Sequence, residues 1–158
     1  RLVQKPMDQL TSEEFDEALR VNARGTFECV KAVLPIMRRQ QYGKIINIIS
    51  GTIFRGITGM VHYVASKGAV LAMTRSMANE LGADGIRCNS LAPGLVMTDA
   101  IKAREGVDRV KQFSIETRAL KREQTPEDLV GTLIYLASAD SDFVTGQALV
   151  VDGGAVMH

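Results

Sequence analysis

An alternation of strand-like and helical segments limits how this chain can fold more than any other feature of its sequence. Residues 43–50, GKIINIIS, form a nearly continuous β-branched apolar run, which is typical of a strand buried on both faces of a parallel sheet. IRCNSLAP at 86–93 and QALVVDGG at 147–154 have the same character and predict two further strands. Helical patterns separate the strands. The series predicts an α/β fold with a doubly wound parallel sheet.

The helical segments carry recognisable start and stop signals. Thr11 and Glu14 form a capping box ahead of a long helix over about 12–40. We expect this helix to bend near Asn22 and at Pro35. The other expected segments are a Gly-rich loop at 51–61, a helix over about 62–81 stopped by GADG, loops and short helices over 95–123, and a capped helix over 125–140 with Pro126 in its first turn.

Composition narrows the class of function. The chain has 158 residues, of which 46% are hydrophobic and 23% charged, so 1–158 is expected to be one domain or a portion of one. Nineteen basic against eighteen acidic residues leave a formal net charge of +1. Charge therefore gives no general reason to expect nucleic acid or an anionic membrane as partner. A small-molecule substrate is the expectation.

Few residues are available for metal binding or disulfides. Cys29 and Cys88 form no CxxC pair, and His62 and His158 are too scattered to complete a zinc site with them. We expect no metal site, two reduced thiols and a cytoplasmic protein. No apolar run approaches the ~20 residues of a membrane-spanning helix, and RLVQKPMDQL has no signal-peptide core.

Polar and special residues follow the predicted strands. In doubly wound sheets the functional crevice lies beyond the carboxyl ends of the strands, where this sequence places Ser50 and the pair Pro93-Gly94. Ser50 also fits a simple turn after a strand. Asn22, a poor helix former, has an equally plain alternative in which its amide faces solvent. These residues alone do not decide between structure and chemistry.

Tyr63 and Lys67 lie four residues apart in HYVASKG. At 3.6 residues per turn, positions i and i+4 share one helix face, so this spacing places a cation beside a phenol. Taken alone, the pair is a weak motif.

Several segments together resemble the short-chain dehydrogenase/reductase superfamily, in particular its classical branch. The segments are VNARGTF, INIIS, YVASK, NSLAPGLVMTD and FVTGQALVVDGG. Tyr63, which begins YVASK, follows Ser50, which ends INIIS, by thirteen residues. The resemblance covers nearly the whole chain. It implies a Rossmann-type sheet, the C-terminal part of a three-layer α/β/α domain, and hydride transfer between a nicotinamide, NAD or NADP, and a carbonyl or alcohol.

The resemblance also implies roles for matched residues. Tyr63 corresponds to the acid/base, Lys67 to its activator and ribose ligand, Ser50 to the partner of the substrate oxygen, and Asn22 to the holder of a relay water. A tyrosine in water has a pKa of about 10, so a cation one turn away is needed to favour the phenolate. The Ser50 hydroxyl suits an oxygen that gains charge in the transition state. Matched cofactor-binding residues are Tyr63, Lys67, Pro93, Gly94, Val96 and Thr98.

The sequence lacks the first half of the family pattern. It has no glycine-rich strand-to-helix turn, no ribose-selecting residue and no NNAG segment. We therefore expect the C-terminal portion of a longer enzyme, and an open apolar edge along the strand at 43–49. The same features leave a naturally truncated, non-catalytic assembly module as an alternative, and a hydro-lyase or epimerase as a third.

Residues between the motifs suggest a substrate class. We predict a secondary alcohol or ketone with an apolar or aromatic body; the apolar residues that line its pocket or belong to the core are Ile53, Phe54, Ile57, Met60, Val61, Met97, Ile101, Val107, Val110 and Phe113. A rival substrate is a carrier-bound 3-oxoacyl group, with Lys102, Arg104, Arg109 and Lys111 facing an acidic carrier. The long helices at 12–40 and 62–81 carry more apolar residues than one sheet face needs, so a homotetramer, or at least a homodimer, is expected.

Overall fold

Three parallel strands form the centre of the fold. The computed structural model describes residues 4–157, with β1 at Gly43–Ile48, β2 at Ile86–Pro93 and β3 at Ala148–Val151. The order in the sheet is β1-β2-β3, and both pairs are parallel. The predicted α/β fold and the positions of its strands are confirmed.

Seven α-helices surround this sheet in the described part of the chain. The first begins at the predicted capping box, where Thr11 Oγ1 accepts from the Glu14 amide (3.2 Å) and Glu14 Oε2 accepts from the Thr11 amide (3.1 Å). The helices are α1 Ser12–Leu19, α2 Gly25–Gln40, α3 Thr52–Arg55, α4 Val61–Leu81, α5 Asp99–Lys102, α6 Val107–Thr117 and α7 Glu127–Ala137.

A π-helical turn joins α1 to α2. It spans Arg20–Arg24, which we call the π segment, and the Gly25 amide bonds back to the Arg20 carbonyl five residues earlier. The irregularity predicted near Asn22 therefore takes the form of one wide turn inside a continuous helical path. Single π turns within α-helices are frequent at functional sites. Pro35 lies inside α2, which continues to Gln40.

The loop predicted at 51–61 contains the short helix α3, so the prediction of loop throughout was wrong there. The Gly56 amide bonds to the Thr52 carbonyl at 2.8 Å and closes this helix. One turn this short has no periodic pattern from which to predict it.

Both sides of the sheet are covered. On one face, α2 and α4 pack against the sheet through a cluster of Val30, Ile45, Ala78, Leu81, Ile86 and Cys88. Lys44 points to the opposite face, because successive side chains alternate along a strand. There its Nζ lies 2.8 Å from Ser141 Oγ and 2.9 Å from Asp142 Oδ1, just beyond the C-terminus of α7. The three layers predicted for this fold are present.

A buried polar hub links α4 to the strands. Thr74 Oγ1 accepts hydrogen bonds from Asn47 Nδ2 (2.8 Å) and Ser90 Oγ (2.9 Å), and it donates to the Val70 carbonyl (2.8 Å). Thr74 and Ser90 are fully buried. Because every member has a partner, this hub avoids the cost of unpaired polar groups in a core.

Strand β1 is less buried than its apolar sequence predicts. Ile45 is buried, whereas Ile48 is 47% exposed. Strand β1 is the sheet edge in the described chain, where only β2 pairs with it, and this explains the exposure. The open edge expected along this strand is observed. Within residues 4–157, no helix combines the length and apolar character needed to cross a membrane.

Candidate active site

The carboxyl ends of β1 and β2 lie side by side. The Ile49 amide donates to the Leu91 carbonyl (2.9 Å), and the Gly51 amide donates to the Pro93 carbonyl (3.0 Å). These bonds continue the pairing past the end of β1 and place Ser50 beside the Pro93 turn. The sheet thus brings together the two strand ends on which the sequence places polar and special residues.

Ser50 is held by the residue two positions later. Its Oγ accepts from the Thr52 amide at 3.2 Å and pairs with Thr52 Oγ1 at 2.9 Å. Only 7% of Ser50 is exposed. The Ser50 oxygen is therefore held in place by the start of α3.

Tyr63 and Lys67 share one face of α4, as their spacing predicts. Lys67 Nζ lies 6.0 Å from the centroid of the Tyr63 ring and donates to the carbonyl of Ile48 at 2.8 Å. Ile48 is the last residue of β1, two positions before Ser50. One hydrogen bond therefore ties the Tyr63–Lys67 face of α4 to the strand end that carries Ser50. Burial lowers the pKa of the Lys67 ammonium from its ordinary value.

Asn22 connects to α4 through its side chain. Its Nδ2 donates to Ser66 Oγ at 2.9 Å, and Ser66 Oγ donates to the Tyr63 carbonyl at 2.8 Å. The Asn22 backbone carbonyl accepts from Thr26 Oγ1 at 2.7 Å. Asn22 thus does not point freely into solvent, the plain alternative left open by its sequence.

The turn after β2 is packed too closely for a side chain at Gly94. A Cβ added there would lie 2.9 Å from both Asp152 Cβ and Gln124 Oε1, so only glycine fits. The Gly94 amide donates to the Val151 carbonyl (3.2 Å), and Val96 forms a parallel bridge with Gln124. The backbone of this turn is therefore held from β3 and from the segment before α7.

Thr98 differs from the other predicted cofactor-binding residues. It is exposed and is the N-cap of α5, where Oγ1 accepts from the Ile101 amide at 3.4 Å. Its hydroxyl is therefore directed at the protein backbone, and its own amide bonds to the Val96 carbonyl at 2.9 Å.

Three residues near this turn were not singled out by sequence. Asp152, which is 3% exposed, accepts from the amides of Gly154 and Ala155 at 3.0 Å. Gln124 Nε2 donates to the Val151 carbonyl at 2.6 Å. Arg118 is buried and donates to the carbonyls of Ser114, Arg122 and Leu95. Their polar partners are mostly backbone atoms, which no residue pattern encodes.

The ten candidate substrate-pocket residues differ in exposure, and Met60, Ile101 and Val107 are half-buried. Ile53 and Phe54 pack against the core cluster of Ile49, Val70, Leu71 and Ala92, and Met97 is 5% exposed. The residues of this set that keep a large exposed apolar surface are Ile57, Val61, Val110 and Phe113.

Comparison with known proteins places the chain in a family. The sequence profile described as enoyl-(acyl carrier protein) reductase matches residues 1–156. The short-chain reductase protein NovJ of Streptomyces niveus is 40% identical over 147 residues, which cover 90% of this chain and 56% of that protein. The 3-oxoacyl-[acyl-carrier-protein] reductase FabG of Staphylococcus epidermidis is 36% identical over 149 residues, covering 94% and 60%. The chain thus spans little more than half the length of these relatives.

Solved structures agree in fold. A gluconate 5-dehydrogenase from Burkholderia cenocepacia J2315, in complex with NADP and tartrate, superposes with a TM-score of 0.89 at 34% identity, covering 98% of this chain and 60% of the other. A putative gluconate dehydrogenase from Agrobacterium tumefaciens gives 0.93 at 31% identity, covering 99% and 63%. The prediction of NAD or NADP as cofactor agrees with the first of these structures. The chain belongs to the short-chain dehydrogenase/reductase family.

Proposed function

We propose that these residues are the C-terminal part of a longer NAD(P)-dependent oxidoreductase that interconverts a secondary alcohol and a ketone, with Tyr63 as acid/base. The observation that carries the proposal is the bond from Lys67 Nζ to the Ile48 carbonyl. It joins the helix face bearing Tyr63 to the strand end bearing Ser50. Family membership supports the reaction class.

The residues present fit the nicotinamide side of the cofactor. Lys67 uses one of its three ammonium donors on Ile48 among the described residues, which leaves donors for ribose hydroxyls. The half-buried backbone turn that contains Pro93, Gly94 and Val96 is the proposed contact for the nicotinamide. The exposed Thr98 follows two residues later. The nicotinamide, when bound, supplies the hydride in reduction and accepts it in oxidation.

The chain's own residues handle the proton. In reduction the Tyr63 phenol gives its proton to the carbonyl oxygen as that oxygen becomes a hydroxyl, and in oxidation the phenolate takes the proton back. Ser50 donates a hydrogen bond to the same oxygen. The Asn22 backbone carbonyl, at the wide turn of the π segment, holds a water from which the Tyr63–Lys67 pair is resupplied with protons.

The substrate we propose is a ketone or secondary alcohol with an apolar or aromatic body. The exposed apolar surfaces of Ile57 and Val61 before Tyr63, and of Val110 and Phe113 on α6, support this class. Cys29 and Cys88, both unpaired, fit the reducing cytoplasm that we propose as its compartment.

A second candidate is the reduction of carrier-bound 3-oxoacyl groups. The FabG relatives are named for that reaction, and Lys102, Arg104 and Arg109 are exposed on and after α5, where an acidic carrier can meet them. The two candidate reactions are distinguished by comparing the turnover of small aryl ketones with that of 3-oxoacyl carrier thioesters. Each substrate is measured with NADH and with NADPH. A strong preference for the thioesters would overturn our first choice.

Replacement of Tyr63 tests the catalytic assignment. Tyr63→Phe removes the proton carrier but keeps the ring, so turnover should fall at least ~10²-fold with the fold retained. Tyr135→Phe, at an exposed tyrosine on α7, is the matched control and should leave turnover unchanged. Near-normal turnover by Tyr63→Phe would refute the assignment.

Two further alternatives give different results in the same assays. A non-catalytic assembly module shows no turnover in the wild type with either substrate class, and its natural reading frame begins near residue 1. A hydro-lyase or epimerase changes substrate without a change in NAD(P)H absorbance, so product analysis separates it from a dehydrogenase. An upstream glycine-rich strand-to-helix turn supports the oxidoreductase.

A further inference from the structure

Thr52 is the immediate neighbour of the Ser50 hydroxyl. Its amide lies 3.2 Å and its Oγ1 2.9 Å from Ser50 Oγ. Thr52 is half-buried at the first position of α3. Ser50 Oγ thus receives two contacts from a residue that does not itself belong to the family pattern on which Ser50, Tyr63 and Lys67 were matched.

Hydrogen-bond accounting shows what these contacts do. A serine hydroxyl has one donor and two acceptor positions. The Thr52 amide can only donate, so it fills one acceptor position of Ser50 Oγ whatever the state of the site. A ketone oxygen can only accept, so when it binds, Ser50 must give it the single hydroxyl proton. Thr52 Oγ1 must then be the donor in the pair of hydroxyls.

We infer that Thr52 is a positioning residue that fixes the Ser50 hydroxyl as a donor toward the substrate oxygen; this inference rests on the proposed function of Ser50. When the substrate oxygen takes the Ser50 proton, both acceptor positions of Ser50 Oγ are filled by Thr52, through its amide and its Oγ1. Ser50 is buried, and its hydroxyl then has every hydrogen-bonding position filled. A donor that itself accepts hydrogen bonds is also strengthened through polarisation.

The test uses the longer enzyme with its cofactor and three variants at or near this position. Thr52→Val keeps the β-branched shape and the amide but removes Oγ1, whereas Thr52→Ser keeps Oγ1. Thr58→Val makes the same change at an exposed threonine of the same loop whose hydroxyl makes no contact with Ser50, and is the matched control. Thermal melting of each variant establishes that it is folded.

We expect Thr52→Val to lower kcat for ketone reduction about three- to tenfold, the typical value of one neutral hydrogen bond, with KM changed by less than about twofold. Thr52→Ser should retain at least about half of wild-type kcat, and Thr58→Val should match wild type within about twofold. Wild-type kcat in Thr52→Val would overturn the inference.

A merely structural role is separated by a double-mutant cycle. If Thr52 acts through the Ser50 hydroxyl, Thr52→Val has almost no effect once Ser50→Ala has removed that hydroxyl. The same loss in both backgrounds would overturn the inference, because it would show that Thr52 acts without Ser50. Failure of the proposed function has a different signature, in which Ser50→Ala alone retains wild-type turnover.

Discussion

The proposed function places two opposing requirements on Lys67. In that proposal its ammonium stays charged to favour the Tyr63 phenolate and to hold a ribose, yet burial lowers its pKa. The bond to the Ile48 carbonyl stabilises the charged form, because an ammonium donates more strongly to a carbonyl than a neutral amine does. The arrangement keeps a partly desolvated cation close to the phenol.

Replacing Lys67 should therefore change the pH profile as well as the rate. Only the phenolate can accept the alcohol proton, so the rate of alcohol oxidation should rise with pH in the wild type. Lys67→Met removes the positive charge that favours the phenolate. The rise should therefore move to higher pH, and the cofactor should bind more weakly. Steady-state rates across pH, together with cofactor titration, measure both effects.

Phe27 and Lys31 supply the control for this variant. Lys31 Nζ lies 5.9 Å from the Phe27 ring, the same i,i+4 geometry as Tyr63–Lys67, but on α2 and without a phenol. Lys31→Met should leave the pH profile unchanged and alter stability by only a few tenths of a kcal/mol. An unchanged profile in Lys67→Met as well would contradict the activating role.

The proposed roles of Tyr63, Lys67 and Ser50 come from the family resemblance of their segments. Helix periodicity and strand ends predicted only that Tyr63 and Lys67 share a helix face and that Ser50 follows a strand. Thr52 and Ser66 were not predicted, because their contacts depend on side-chain rotation and on how α1 approaches α4. The bond from Lys67 to a backbone carbonyl has no sequence signal at all.

Among the elements, the π segment and α4 are joined by a single polar contact that a mutation can isolate. Ser66, which is fully buried, accepts from Asn22 Nδ2 and donates to the Tyr63 carbonyl. Ser66→Ala leaves the Asn22 amide without this partner and should lower the free energy of unfolding by about 1–3 kcal/mol. Urea unfolding measures it. Ser76→Ala, at an exposed site on α4, should change stability by less than about 0.5 kcal/mol; equal effects would contradict the linkage.

The start of α7 is held by a carboxylate whose charge depends on pH. Arg122 bonds both oxygens of Asp128 (2.7 and 2.6 Å), and the Thr125 amide donates to it at 2.9 Å. Hydrogen bonds from these two groups hold the pKa of Asp128 well below its usual range. The bonds from the Arg122 side chain have the larger effect and the bond from the Thr125 amide the smaller one. The stabilisation is therefore present above the ordinary carboxylate pKa of about 4 and is lost as the pH falls below it.

Asp128→Asn tests this sign. The variant should melt at a lower temperature than wild type at pH 7, and the difference should shrink as the pH is lowered from about 4 toward 2. Asp140→Asn, at an exposed aspartate after α7, serves as the control for removing a carboxylate outside this ion pair. A melting difference that stays constant down to low pH would contradict the charge-based account.

Element types were predicted better than their local irregularities. The capping box at Thr11 and Glu14 fixes the start of α1 because both partners are within four residues. The wide turn at Arg20–Arg24 was anticipated only as a bend, since Asn22 is a poor helix former but does not specify a π turn. Helix α3 was missed because one turn leaves no periodicity.

For the whole molecule, the outer surface of α2 carries the evidence for assembly. Phe27 is 48% and Ile36 51% exposed, and Val33 is also exposed. At 3.6 residues per turn, Val33 and Ile36 lie about 60° apart on α2, whereas Phe27 lies on the side opposite Ile36. The exposed apolar pair Val33 and Ile36 is a candidate interaction surface, which agrees with the proposed pairing of the long helices in a homodimer or homotetramer. The sequence predicted a surplus of apolar residues here, and the structure shows which of them the described chain leaves uncovered.

Light scattering of the longer enzyme at micromolar concentration should show a dimer or tetramer. Ile36→Glu places a charge within the exposed pair Val33 and Ile36 and should shift the population toward monomer, because an unpaired charge is costly to bury at an interface. Glu28→Lys, at an exposed position about two turns earlier on α2, changes charge away from this pair and should leave the assembly intact. Only monomer in the wild type would contradict the proposal.

The hydroxyl of Thr74 fixes the position of α4 along the sheet. Its partners sit on two strands, at Asn47 and Ser90, so sliding α4 along the sheet by even one turn would separate all of them at once. Lys67 and Tyr63 lie seven and eleven residues upstream, about 10 and 16 Å along the helix axis. These buried bonds therefore help to set where the Tyr63 phenol and the Lys67 ammonium lie relative to the ends of the strands. A substitution at Thr74 is expected to displace both groups relative to Ser50, although Thr74 itself lies well away from them.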